Sequence, residues 1–260
     1  MSEDVLSANL GEGVFEIRLN RPEKMNALSV AAVNAVRQAV TQAQSQSARV
    51  ILLTGNGRAF CAGADLTERK GLDLQGKLDH NAGINRAVNA LAEARCVTVA
   101  VLNGLALGGG LELALGCDLR IAAVGISIGL TESRVGAFPG AGGTQRLART
   151  VGRSRALQMM LTGEPVSSEY AERIGLVNEV VPAEQLQTRA LELAKLLASR
   201  SATAQADIKR LVNQGLEVPL AAGLQLERAA VIGVFNSVDY AEGLAAFAEK
   251  RAPKFVGVVQ

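Results

Sequence analysis

Glu112 follows three consecutive glycines in the run Gly108-Gly109-Gly110-Leu111-Glu112-Leu113-Ala114-Leu115. Glycines carry no Cβ, so a ligand can approach this backbone closely. Good helix formers come next, so the run reads as the turn into a helix whose first N–H groups point outward. Such amides can hold a developing oxyanion, and a carboxyl in the first turn beside them can carry a proton. A second carboxyl, Glu132, stands in Ile128-Gly129-Leu130-Thr131-Glu132-Ser133, where a glycine turns the chain just after a short strand. Two acids beside outward donors suit proton transfer next to an activated carbonyl. Each acid also has a plainer reading. Glu112 could complement the helix dipole, worth about 0.3–1 kcal/mol, and Glu132 could be an ordinary loop carboxylate. Their spacing does not by itself bring them together.

Other chemistries lack their parts. The sequence holds no G-x-x-x-x-G-K-[ST] and no G-x-G-x-x-G at the glycine run. His80 is the single imidazole and stands in a polar stretch, which reads as an exposed loop position. A triad has little to build on, and with no Cys-x-x-Cys a metal site is not expected. Phe60-Cys61-Ala62-Gly63-Ala64-Asp65-Leu66 is a further place where small residues follow a buried aromatic and bring backbone close to whatever binds. Its plainer reading is a tight turn.

These groups need a frame. Val14–Leu19 alternates as a strand, and Val50–Leu53, Val97–Leu102 and Leu119–Val124 are short apolar strands. Ser29 caps a helix to about Gln44, with Ala32, Val33, Val36, Ala39 and Val40 inward. Residues 68–82 are polar and contain glycine, so they read as a surface loop or a poorly fixed helix, followed by a helix over 83–95. A second glycine-rich turn, Gly140 to Gly143, leads into a helix over 143–150. Helices then run over 154–162, 167–174, 183–199, 201–215, 219–236 and 238–250, broken by a strand at Leu176–Val181. The alternation argues for an α/β core with a helical C-terminal part.

Bulk properties narrow the partners. The 260 residues are 48% hydrophobic and carry 27 basic and 25 acidic side chains, so a net charge of +2 gives no support for nucleic acid or an acidic membrane. Aromatics make up 3%, too few for base stacking. No apolar run reaches membrane-spanning length. Met1-Ser2-Glu3-Asp4 opens acidic and without a leader-like stretch, and Cys61, Cys96 and Cys117 are well spaced in apolar contexts. Buried thiols in a reducing, cytoplasmic setting are expected.

Taken together, several segments resemble the crotonase superfamily, in its enoyl-CoA hydratase branch, over nearly the whole chain. They are Asn20-Arg21-Pro22 with Asn26-Ala27-Leu28, the 60–66 segment, Asn103-Gly104 with A-L-G-G-G-L-E-L-A at 106–114, C-D-L-R at 117–120, P-G-A-G-G-T-Q-R-L at 139–147 and Ala-Glu-Lys-Arg at 248–251. The resemblance implies a spiral of repeated ββα units over 1–198 and a helical oligomerisation region over 199–260, in a homotrimer or a hexamer built as a dimer of trimers. It implies an acyl-CoA thioester substrate, with no separate cofactor. By motif position, the amides of Ala64 and Gly109 form the oxyanion hole, and Glu112 and Glu132 are the catalytic acids, gripping one water. Ala62, Ala64, Asp65, Leu66, Thr67 and Gly109 fall where the family contacts coenzyme A, and Lys24 matches more loosely. Within the branch, the 106–120 segment and I-K-R-L-V-N-Q-G-L-E-V look most like methylglutaconyl-CoA hydratases. One such protein binds RNA through a lysine-rich helix. The corresponding helix here, about 29–47, has Arg37 and no lysine, so that property is not expected.

Three readings follow. The first is hydration of a short or branched 2-enoyl-CoA. The second is another crotonase-type reaction such as enoyl isomerisation, which retention of both acids disfavours. The third is a non-catalytic binding protein, disfavoured by the same acids and by the neutral charge.

Overall fold

A computed structural model describes residues 4–257; Met1–Glu3, at the acidic start, lie outside them. The chain begins with strands β1 (Val5–Gly11) and β2 (Val14–Leu19), then helix α1 (Val30–Ser45). Ser29 caps α1 by accepting from the Ala32 amide at 3.0 Å, and every inward residue expected for it is buried. Next come β3 (Val50–Gly55), β4 (Ala59–Cys61), α2 (Leu66–Lys70) and α3 (Leu74–Ala92). The pattern repeats with β5 (Val97–Leu102), β6 (Leu105–Leu107) and α4 (Gly109–Gly116), and again with β7 (Leu119–Ala123) and β8 (Ser127–Gly129). From β3 onward three such units, begun by β3–β4, β5–β6 and β7–β8, wind as a spiral. The first strand of each joins one sheet, and the second turns a corner into another.

Two sheets result, ordered β1-β2-β3-β5-β7-β10 and β4-β6-β8-β9. Strand β9 is Val166–Ser167 and β10 is Glu179–Val181. Within the spiral all pairings are parallel: β3 with β5, β5 with β7, β4 with β6 and β6 with β8. Both faces of the large sheet are covered, which is why β3 and β5 are nearly continuous apolar runs. One core cluster lies between that sheet and α1, α3 and α4, and the other between it and the later helix α8 (Leu186–Ala198).

The polar stretch 68–82 is a correction to the expected loop. It forms α2 and most of α3, each capped by an aspartate: Asp65 accepts from Thr67 and Glu68 amides, and Asp73 from Gly76. Helix α3 buries His80, Ile84, Ala87, Val88 and Leu91. These positions recur at helical spacing, so the face is continuous although its first half is polar. His80 is therefore interior, 1% exposed, and not a loop residue. The strand expected over Leu176–Val181 is shorter, because Leu176 and Val177 pack as a buried turn before β10.

Helices α5 (Gly143–Val151), α6 (Arg153–Thr162) and α7 (Ser168–Arg173) follow the spiral. After α8, the chain ends in α9 (Ala202–Gly215), α10 (Leu220–Phe235) and α11 (Val238–Glu249). The C-D-L-R segment locks α4 in place. Arg120 donates to the carbonyls of Cys117 at 2.9 Å, Ala114 at 3.2 Å and Leu176 at 2.7 Å, a buried cation at the negative end of α4. Asp118 accepts from the amide and hydroxyl of Thr98 and from Lys209 at 2.9 Å, tying α9 to the sheet.

Asn26 fixes the first corner. Its Oδ1 accepts from the Arg21 amide at 2.8 Å, and its Nδ2 donates to Asn56 O at 2.9 Å and Ala59 O at 2.8 Å. The side chain is 2% exposed, so truncation strands buried polar groups. Asn26→Ala is expected to cost about 2–4 kcal/mol, read as a lower denaturation midpoint. An unchanged midpoint would show that water replaces these bonds.

Candidate active site

Backbone geometry builds the floor of the site. Leu28 forms a parallel bridge with Ala64, donating to Gly63 O at 2.8 Å and accepting from the Asp65 amide at 3.0 Å. Successive amides on an extended strand point to opposite sides, so the Ala64 N–H faces away from Leu28. Gly109 is the first residue of α4, where an amide has no partner within the helix. The two amides are close neighbours: a Cβ on Gly109 would lie 3.4 Å from Ala64 N. Gly108 turns the chain here at φ 50° and ψ −126°, and its amide donates to Gly129 O at 2.9 Å. A side chain at 108 would be strained by that backbone, and its Cβ would crowd Glu132 Oε1 at 2.9 Å.

Both acids reach the same hollow. A cavity of about 330 Å³ is lined by Ala62, Gly63, Ala64, Leu66, Arg69 and Ile84, by Gly108, Gly109 and Glu112, and by Glu132 and Phe138, among others. Glu112 is 3% exposed, and its Oε1 accepts from the Ala141 amide at 2.7 Å and the Gly143 amide at 2.8 Å. Burial pushes its pKa up, against the pull of those two amides. Glu132 heads a short 3-10 turn, Glu132–Val135, directly after β8 and Leu130-Thr131. Burial, helped by repulsion from Glu112, pushes its carboxyl up to about 7, and its Oε2 is shielded from solvent with no hydrogen-bond partner. One carboxyl is thus held by two amide donors, and the other is poised to keep a proton near neutrality. That pairing suits one group to accept a proton and the other to give one.

Residues 9–258 match the enoyl-CoA hydratase/isomerase family. The chain belongs to that family. A probable enoyl-CoA hydratase of Mycobacterium bovis is 39% identical over 98% of this chain and 99% of its own length. A putative enoyl-CoA hydratase/isomerase of Bacillus subtilis is 40% identical over 99% of this chain and 100% of its own. The crystal structure of an enoyl-CoA hydratase from Bacillus anthracis superposes with a TM-score of 0.94 at 40% identity, covering 97% of this chain and 98% of that one. The architecture is the crotonase fold, and the chain is an enzyme of the hydro-lyase class.

In this member of the family, the sequence-derived site residues divide in two. Ala62, Ala64, Leu66, Gly109, Glu112 and Glu132 line the cavity. Lys24, Asp65 and Thr67 lie outside its lining. Lys24 and Thr67 are exposed, whereas Asp65 is buried and structural. Although burial opposes its ionisation, amides of Glu68 and Thr67 and a 3.1 Å ion pair with Arg21 hold the Asp65 carboxyl below the usual range. Reading the sequence missed the donors to Glu112, which come from the Gly140–Gly143 turn. It also missed Arg69, which lines the cavity, and His80, which supports it. A larger hollow of about 500 Å³ lies against α9, but it contains neither glutamate.

Proposed function

We propose that this enzyme adds water reversibly across the C2=C3 bond of a short or branched 2-enoyl-CoA thioester. The observation carrying the reading is the pairing of two unlike carboxyl environments in one cavity beside two outward amides. The thioester oxygen sits between the Ala64 and Gly109 amides at the positive end of α4. A water lies between the acids. Glu112 takes a proton from it as its oxygen bonds to C3, and the electron pair of the double bond moves to the thioester as an enolate. Glu132 then delivers its proton to C2. Proton transfer from Glu112 to Glu132 restores the starting state, so the net addition is one water. Two amides carry the transient charge, and removing one such donor from an oxyanion hole costs about 10²–10³ in rate. The chemistry calls for no separate cofactor.

The acyl part occupies the hollow between Ile84, Leu66 and Phe138, while coenzyme A leaves past Ala62 and Leu66 toward exposed Thr67 and Lys24. The exposed Leu216, Ile232, Phe235 and Phe247 on the final helices support a homotrimer or a dimer of trimers that covers them. Three free buried thiols fit a reducing, cytoplasmic setting.

Mixing the protein with crotonyl-CoA is expected to bleach the conjugated enoyl absorbance without nicotinamide or metal. If a 3-enoyl-CoA instead generates that band and crotonyl-CoA is inert, the reaction is isomerisation. If no enoyl-CoA changes while coenzyme A still binds, the catalytic reading fails.

A further inference from the structure

Arg69 is a cation whose place in the cavity the reaction above does not use. Its Nη2 is shielded from solvent and has no hydrogen-bond partner, as does Oε2 of Glu132 in the same cavity. A cation lining the same hollow as two acids offsets part of the cost of ionising either of them. His80 packs behind Arg69, with Nδ1 3.5 Å from Arg69 Nε and Nε2 2.8 Å from Leu28 O. The second contact requires the proton on Nε2, since a carbonyl only accepts. Nδ1 accepts from the guanidinium. Leu28 O also takes the Asp65 amide, so the imidazole rests on the strand that presents the Ala64 amide.

We propose that Arg69, seated by His80, is a positioning residue that keeps the glutamate pair singly protonated, one acid charged and one neutral. The inference concerns the same site as the proposed hydration and rests on that reading for its kinetic consequence. The charge inventory supports it. Among the residues lining the cavity, Glu112 comes from α4, Glu132 from the turn after β8, and Arg69 from α2; α3 contributes neutral Asn81 and Ile84. The other charges nearby are engaged elsewhere. Asp65 pairs with Arg21, Glu68 accepts from the Val30 amide, and Arg134 pairs with Glu164. Arg69 is therefore the lining cation set against two buried acids. Its charge favours the ionised form of both Glu112 and Glu132, opposing the burial that raises them. Without it, both acids hold their protons to higher pH, and the base is the first function lost.

The test compares Arg69→Gln, Arg69→Lys and His80→Gln with the wild type. With crotonyl-CoA, the pH profile of kcat/KM should move alkaline in Arg69→Gln, both limbs together, by roughly one unit. That corresponds to a loss of up to about tenfold on the acid side and a relative gain on the alkaline side. Arg69→Lys should return the profile toward its original place, and His80→Gln should shift it part-way. A merely structural role would lower the rate without moving the limbs. The independent readout is carboxyl 13C NMR of the ligand-free protein, with Glu132 assigned through Glu132→Gln. Its titration should move up in Arg69→Gln. If wild-type protein hydrates no enoyl-CoA, the hydratase reading fails while the NMR shift still decides this proposal. An unmoved Glu132 titration, or an unmoved profile in an active Arg69→Gln enzyme, would overturn it.

Discussion

Glu132→Gln is expected to lower hydration turnover by about 10²–10⁴-fold and to leave thioester affinity within a few-fold of wild type. The amide matches the carboxyl in size, so the close packing of Glu132 Oε1 over Gly108 survives. In the proposed reaction the affinity survives because backbone amides, and not Glu132, hold the thioester oxygen. What disappears is the proton for C2. The same variant carries a second signature in stability. The folded-state pKa of Glu132 is raised from 4.5 to about 7, with burial the main cause. The fold therefore binds this proton more tightly than the unfolded chain does. Its contribution to stability is fully present below pH 4.5 and is lost as pH rises through about 7. Glu132→Gln has no charge to bury. It should melt above wild type at pH 8, and the difference should narrow on acidification below pH 4.5. Retained turnover would remove the acid role. An equal melting difference at every pH would show that Glu132 titrates alike in both states.

Much of this site was legible before any coordinates. The glycine run announced a helix start, and a carboxyl in the first turn of an apolar helix needed a reason to be there. Strands β3, β5 and β7 read correctly because a strand covered on both faces is a plain apolar run. Helix α1 read correctly because its alanines and valines recur at helical period behind a serine cap. Other parts were hidden for physical reasons. Strands β4 and β6 have three residues each, too few to show alternation, yet they carry the corners that set Ala64 and Gly109 side by side. Helix α3 was obscured by its ends: Leu74 and Leu78 point outward, and its first inward group is His80. The spacing from His80 to Ile84, Ala87, Val88 and Leu91 was a usable signal, but it demanded that an imidazole be counted as core. The two amides that hold Glu112 come from a turn 29 and 31 positions away, a closure that only the tertiary fold makes.

Gly110→Ala is expected to be the most damaging single-methyl change at the site. Gly110 sits at the second position of α4, where helix propensity alone would favour alanine by about 1 kcal/mol. The surroundings reverse that sign. An added Cβ would lie 2.3 Å from the carbonyl oxygen of Cys61, 2.7 Å from its Cβ and 2.9 Å from its carbonyl carbon. None of these atoms belongs to a flexible side-chain end. Cys61 is fully buried in β4, which is paired to β6, so it has nowhere to retreat. Relief requires α4 to move away from β4. That movement carries Gly109 away from Ala64 and opens the gap between the two amides of the proposed oxyanion hole. Overpacking of this kind costs about 1–3 kcal/mol or more, and displacing one oxyanion donor about 10²–10³ in rate. The variant should therefore show a lower melting point together with at least a hundredfold loss of turnover on crotonyl-CoA. Gly71→Ala is the matched control, since its Cβ would meet only Glu68 O at an ordinary 3.5 Å; it should change neither. Wild-type rate and stability in Gly110→Ala would mean that α4 and β4 are not wedged together, and that the spacing of the amides is set by something other than this glycine.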